Sequence, residues 1–286
     1  MDMFLLEAAI NGLLLAGVLA LLTLGLNLIF GVIDVVWIAY ADLVMCGMYA
    51  VYWLFAVFGW PLPLAFAASV LGVAALGVIV HLLIIAPILS SAPINQLLAT
   101  GGLLYFLQSF ATLLFTTDFR NIGVRLPIIE IGGIYISYSR LLAFGVALVG
   151  ATALYLFLKR TYIGTAIRAI AQDREIIGLM GVDQRRIYLV TSAIGGALAG
   201  LGACLLALQY DVHPFIGNTF GPLIFMICVL GGLGNMIGGF IAAFIIAQFI
   251  AVGSSCFATE WGYAIAFLFF MVVIFIKPQG LFGGKS

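Results

Sequence analysis

The chain has 286 residues, of which 65% are hydrophobic and only 8% charged, with eleven basic residues balanced by eleven acidic ones and a mean hydropathy of +1.29. A soluble domain carries about 25% charged residues. A soluble fold is therefore excluded, no nucleic-acid partner is expected, and the composition is that of an all-α protein that crosses the membrane repeatedly.

In chain order, the start carries Asp2 and Glu7 but no basic residue. A secretory leader opens on basic residues, so this beginning is expected to be a membrane helix. With about 20 apolar residues per crossing, the apolar runs are 8–30, 42–58, 62–86, 94–115, 141–158, 187–208, 220–252 and 258–276. Seven suit single crossings. The run 220–252 is too long for one and is broken by Gly231, Gly232, Gly234, Asn235, Gly238 and Gly239, which predicts two shorter or tilted helices and a total of eight or nine.

Asp34 and Asp42 are the acids nearest apolar surroundings in the first half. Eight residues of continuous helix would separate them by about 12 Å, too far to share a proton. A chain break between them would let Asp42 cap a helix whose N-terminus faces a substrate carboxylate, or leave Asp34 at the surface and Asp42 as a plain cap. Between the fourth and fifth runs, the outer segment 118–140 holds two β-branched and aromatic stretches, 128–131 and 134–138, around Gly132-Gly133. That pattern predicts a tight hairpin, either a docking lip or a structured cover.

Next comes the long hydrophilic stretch 159–186, with Lys159, Arg160, Arg168, Arg174, Arg185 and Arg186 against Asp173, Glu175 and Asp183. Its excess of basic residues places it on the cytoplasmic side. Alternating outward from it, the first residues lie outside, and splitting the run 220–252 lets Lys277 and Lys285 lie inside. Arg120, Arg125 and Arg140 then fall outside. Within the loop, a short helix is predicted over 165–172, then Asp173 as an N-cap, a second helix over 174–180 and Gly181 as its stop. Ile176, Ile177, Leu179 and Met180 make that second helix apolar enough to press against the membrane face or against a soluble partner, unless the basic cluster is only a topology anchor.

The four cysteines, Cys46, Cys204, Cys228 and Cys256, lie in or beside apolar runs without CxxC spacing and are expected to be small packing residues. His81 and His213 lie far apart, so no metal site is expected. Neither a Ser/His or Cys/His set nor a G-x-x-x-x-G-K-[S/T] loop is present. The chain is therefore expected to have no catalytic residues and no cofactor of its own, with energy supplied by a partner.

The stretch GTAIRAIAQDRE from Gly164, then Leu179-Met-Gly, Gly195-Gly-Ala-Leu-Ala-Gly, Gly25-Leu-Asn-Leu-Ile-Phe-Gly-Val-Ile-Asp, Leu230-Gly-Gly-Leu-Gly-Asn and Lys277-Pro-Gln-Gly-Leu-Phe-Gly follow one another over nearly the whole chain. In this they resemble permease subunits of bacterial ATP-binding-cassette importers for branched-chain amino acids, of the LivH type. The resemblance implies a single transmembrane permease domain, 1–286, in the bacterial inner membrane, without catalytic activity. It implies as partners two cytoplasmic ATPase subunits that bind the ATP, a second related permease or a second copy of this chain, a periplasmic substrate-binding protein, and membrane lipid. Loop 159–186 would be the element that seats on the ATPase, through Arg168, Asp173, Arg174, Glu175 and Gly181.

After Ile33-Asp34-Val35-Val36, the family usually has Asn-Phe-Ala-His-Gly and an acid, whereas this chain has Trp37-Ile38-Ala39-Tyr40-Ala41 and Asp42. That makes the path more aromatic, which would suit a bulkier or aromatic solute. The expected path comprises Asp34, Trp37, Tyr40 and Asp42 in the first half, and Gly231, Gly232 and Gly234 in the second. Paired interruptions in two halves point to an inverted repeat with a midplane site, although glycines in membrane helices also serve plain close packing. The rival function is an ion-coupled secondary carrier, which needs a relay of buried acids or histidines that Asp34, Asp42 and Glu260 do not make.

Overall fold

The computed structural model describes residues 2–124, 127–131, 134–172, 182–256 and 258–283. Helix α1 runs Asp2–Ile33, α2 Tyr40–Val51 with a π-helical extension Tyr52–Val57, and α3 Leu62–Val80, continued through π-helical His81–Ile85 to Ile88. Then come α4 Pro93–Phe115, β1 Ile128–Ile131, β2 Ile134–Ser137, α5 Tyr138–Arg160 and α6 Tyr162–Gln172. The chain closes with α7 Gln184–Ala207, α8 Ile216–Gly231, α9 Met236–Cys256 and α10 Thr259–Ile276. Seven of the described helices are long and apolar enough to cross a membrane, and α8 and α10 are shorter apolar helices. The expected split of the run 220–252 occurs at Gly232–Asn235, where Gly232 and Gly234 take φ of 94° and 80°, values that favour glycine.

Helix α1 is the central post. It packs against α9, α7, α5, α8 and α6, and a helix so enclosed must be apolar on every side. Small residues bring α3 and α7 together: side chains at Gly77, Gly196 or Gly200 would run into the facing backbone, the close approach that holds membrane helices where no hydrophobic drive exists. The expected hairpin forms, with Ile128 opposite Ser137 and Ile131 opposite Ile134; its turn, Gly132-Gly133, lies outside the described residues.

The predicted helix at 165–172 begins earlier, at Tyr162. The Thr161 hydroxyl accepts from Gly164 N at 3.0 Å, and the bare Gly164 lets α6 fold back against Phe157 and Leu158 at the end of α5. Ile167 and Ile170 then face inward while Arg168 is exposed. The second predicted helix of that loop, with Asp173, Arg174, Glu175 and Gly181, lies outside the described residues.

Candidate functional site

Helix α1 ends at Ile33, and the N–H of Asp34 still donates to Phe30 O at 2.8 Å while its φ turns to 61°. This is the left-handed region, which non-glycine residues other than Asn and Asp rarely adopt. Residues 34–39 are not helical. Instead of leaving for the surface, the segment turns back among the helices, burying Val35, Trp37 and Ala39 before α2 starts at Tyr40. The Tyr40 hydroxyl donates to Gly195 O at 3.1 Å in mid-α7, and Gly25 of α1 leaves room for it. The Thr100 hydroxyl of α4 donates to Val36 O at 3.0 Å. The break is thus pinned to three different helices.

Beside this segment lies a cavity of about 360 Å3 between α1, α4 and α8. Trp37 and Tyr40 line it, with Leu26, Leu97, Leu104 and Phe225 among its apolar walls. At one side the wall is polar. Asp42 Oδ1 accepts from Gln108 Nε2 at 3.0 Å, and the same NH2 group donates to Asn218 Oδ1 at 2.8 Å. Asp42 and Gln108 are buried, while Asn218 opens onto the cavity. Asp42 belongs to the first turn of α2, and Gly217, in the first turn of α8, abuts its carboxylate. Two helix N-termini therefore converge on one acid, each with partial positive charge. Among the described residues, Asp42 Oδ2 and Trp37 Nε1 have no hydrogen-bond partner.

The residues expected along a path separate into two groups. Trp37 and Tyr40 line the cavity, and Asp42 is buried behind it, linked through Gln108 to Asn218 on the wall. Asp34, Gly231, Gly232 and Gly234 lie instead at the other end of the break, where Asp34, Leu233 and Gly234 share a cleft of about 560 Å3 with Ile170, Ala171 and Gln172 of α6. There the α8–α9 turn is clamped from both sides. Gly234 packs on Gly31, and Gly232 on Gly283 of the C-terminal tail. Leu281 N donates to Leu230 O at 2.7 Å, and Asn235 Nδ2 to Phe282 O at 2.8 Å. Asn235 Oδ1 accepts from Gly238 N at 2.9 Å, capping α9, and buried Asn27 accepts from Gly234 N at 3.2 Å.

Sequence reasoning missed Gln108, Asn218 and Asn27. The signal for the first was present, since a glutamine deep in the apolar run 94–115 faces a cavity or a partner. Of the residues expected to seat on an ATPase, Arg168 is the one described, and it is exposed on α6.

A family model described as branched-chain amino acid transport system, permease component, matches residues 8–274. The chain is 30% identical to the high-affinity branched-chain amino acid transport system permease protein BraD of Pseudomonas aeruginosa, over 97% of this chain and 95% of that one. It is 27% identical to the corresponding permease protein LivH of Escherichia coli strain K12, over 98% and 96% of the two chains. In three dimensions it matches a chain of PsaBC from Streptococcus pneumoniae with a TM-score of 0.54, covering 94% of this chain and 91% of that one at 13% identity, which shows a shared fold.

Proposed function

The chain belongs to the family of branched-chain amino acid transport permease components, and on that premise we propose that it forms one wall of the path in an ATP-driven importer of branched-chain amino acids or related small amphipathic solutes. It is a multi-pass inner-membrane protein of the ABC permease type. A substrate-binding protein delivers the solute at the hairpin end, ATPase subunits seat on α6 and the rest of 159–186, and a second permease closes the open side of the cavity.

The observation that carries this reading is the mixed cavity itself. Polar groups at membrane depth are costly and face a cavity or a partner. Here Asn218 lines a mostly apolar cavity and is held from behind by buried Gln108 and Asp42. That combination suits a solute with an apolar side chain and a charged end. Seating on α6 has a mechanical consequence: the α6 end shares a cleft with Asp34 and Gly234, and Asp34 is where the segment leading to Trp37 begins. A push on α6 therefore reaches the cavity through one short stretch of chain.

The experiment is co-purification in mild detergent with Arg168→Glu against wild type. Exposed Arg168 is not part of the packed core, so the variant is expected to insert and fold normally while losing most of the ATPase subunit that accompanies the wild type. ATPase retained in full by the variant would remove Arg168 from the docking surface, and no ATPase with either protein would contradict the importer reading.

A further inference from the structure

Three features of the cavity are not used by helix packing. Trp37 Nε1 is buried, belongs to a lining residue and has no partner among the described residues. Asn218 has its side-chain oxygen engaged by Gln108, so the group it offers to the cavity is its NH2. Pro222, inside α8, has no N–H, so the Asn218 carbonyl lacks the donor that an α-helix supplies four residues on. Asn218 thus carries a side-chain donor on the cavity wall and, in the same residue, a carbonyl without its helical donor. A buried donor left unmatched by the protein, as Trp37 Nε1 is, calls for a reason, and the carboxylate of a zwitterion supplies one.

Resting on the reading of this cavity as the transport path, we propose that Asn218 holds the charged end of the transported amino acid. Its NH2 and the Trp37 N–H donate to the carboxylate, and its backbone carbonyl accepts from the ammonium group. The apolar lining, including Leu26, Leu97, Leu104 and Phe225, takes the branched side chain. Asp42 and Gln108 are positioning residues. A carboxylate only accepts, so Asp42 turns the Gln108 NH2 toward itself. That NH2 in turn holds the Asn218 oxygen and prevents the amide from flipping.

The test uses the assembled complex in liposomes, reading leucine uptake beside ATP hydrolysis stimulated by the loaded binding protein. Asn218→Asp replaces the donor with a charge that repels the carboxylate, and uptake is expected to fall about tenfold or more. Trp37→Phe keeps the ring and removes the N–H, and should lower uptake about threefold. Stimulated hydrolysis is retained in both. The pair Asp42→Asn with Gln108→Glu rebuilds both hydrogen bonds with donors and acceptors exchanged, so Asn218 turns its oxygen to the cavity. Thermal stability is then expected to match wild type while uptake stays low, a split that a merely structural role does not produce. Uptake unchanged in Asn218→Asp and Trp37→Phe, uptake and hydrolysis lost together in both, or uptake recovering with stability in the exchanged pair would each overturn the assignment. A wild-type complex that takes up no leucine contradicts the transport reading itself, whereas wild-type uptake matched by the variants contradicts only the role of Asn218.

Discussion

Tyr40 shows how one side chain ties the break in the first half to the helices around it. Its hydroxyl is buried and donates across to Gly195 O, and it fits only because Gly25 has no side chain. Gly25→Ala should push the ring away from α1, losing that hydrogen bond and part of the packing. The expected cost is about 1–3 kcal/mol, read as a fall in the thermal unfolding midpoint of the purified protein. Tyr40→Phe alone should cost less, and in the Gly25→Ala background it should recover part of the loss, because the atom that collides is gone. Fully additive losses in this cycle would mean that the two residues do not press on each other. Trp37 and Tyr40 were visible in the sequence as departures from the family pattern, but their neighbours were not. Gly195 lies 155 residues on from Tyr40 and Gly25 in the helix before it, and a bare glycine carries no side chain to name its partner.

The α8–α9 turn is the element whose existence was easiest to foresee and whose place was hardest. Gly231, Gly232, Gly234 and Asn235 announced a break in an apolar run, and the break is there. Its partners are Gly31, Asn27 and the C-terminal tail, and nothing local to the turn names them. The turn therefore belongs to the end that carries α6, away from the cavity lined by Trp37 and Asn218. Gly232 has a φ of 94° and its missing side chain faces the backbone of Gly283. Gly232→Val is accordingly expected to lower stability by about 2 kcal/mol or more, with easier proteolysis of the C-terminal tail. Loss of uptake in this variant would follow from a loosened turn and would not by itself place the glycine in the path. A variant as stable as wild type, with the tail equally protected, would contradict the clamp.

At the scale of the molecule, the apolar runs revealed the helices because length and hydropathy alone decide what spans a bilayer. The order of packing was not legible. A helix that is apolar all round, as α1 is, carries no periodic signal to say which face meets which neighbour. For the same reason the cavity could be guessed only from residues that break the apolar or family pattern: Trp37, Tyr40 and Asp42 were foreseen, and Gln108 and Asn218 were not. The structure joins two regions that the sequence keeps apart: the α6 end with Asp34 and Gly234, and the cavity with Trp37, Tyr40 and Asn218. The short stretch 34–42 connects them, so the energy source and the solute are expected to communicate through it.

The central claim is that this chain moves amino acids on energy drawn from ATP by partner subunits. The most direct measurement is uptake of radiolabelled leucine into liposomes holding the assembled complex, with the binding protein on the delivery side and ATP on the side of 159–186. The account predicts uptake that requires ATP and the binding protein and is indifferent to imposed proton or sodium gradients. Uptake driven by such a gradient without ATP would contradict it and bring forward an ion-coupled carrier.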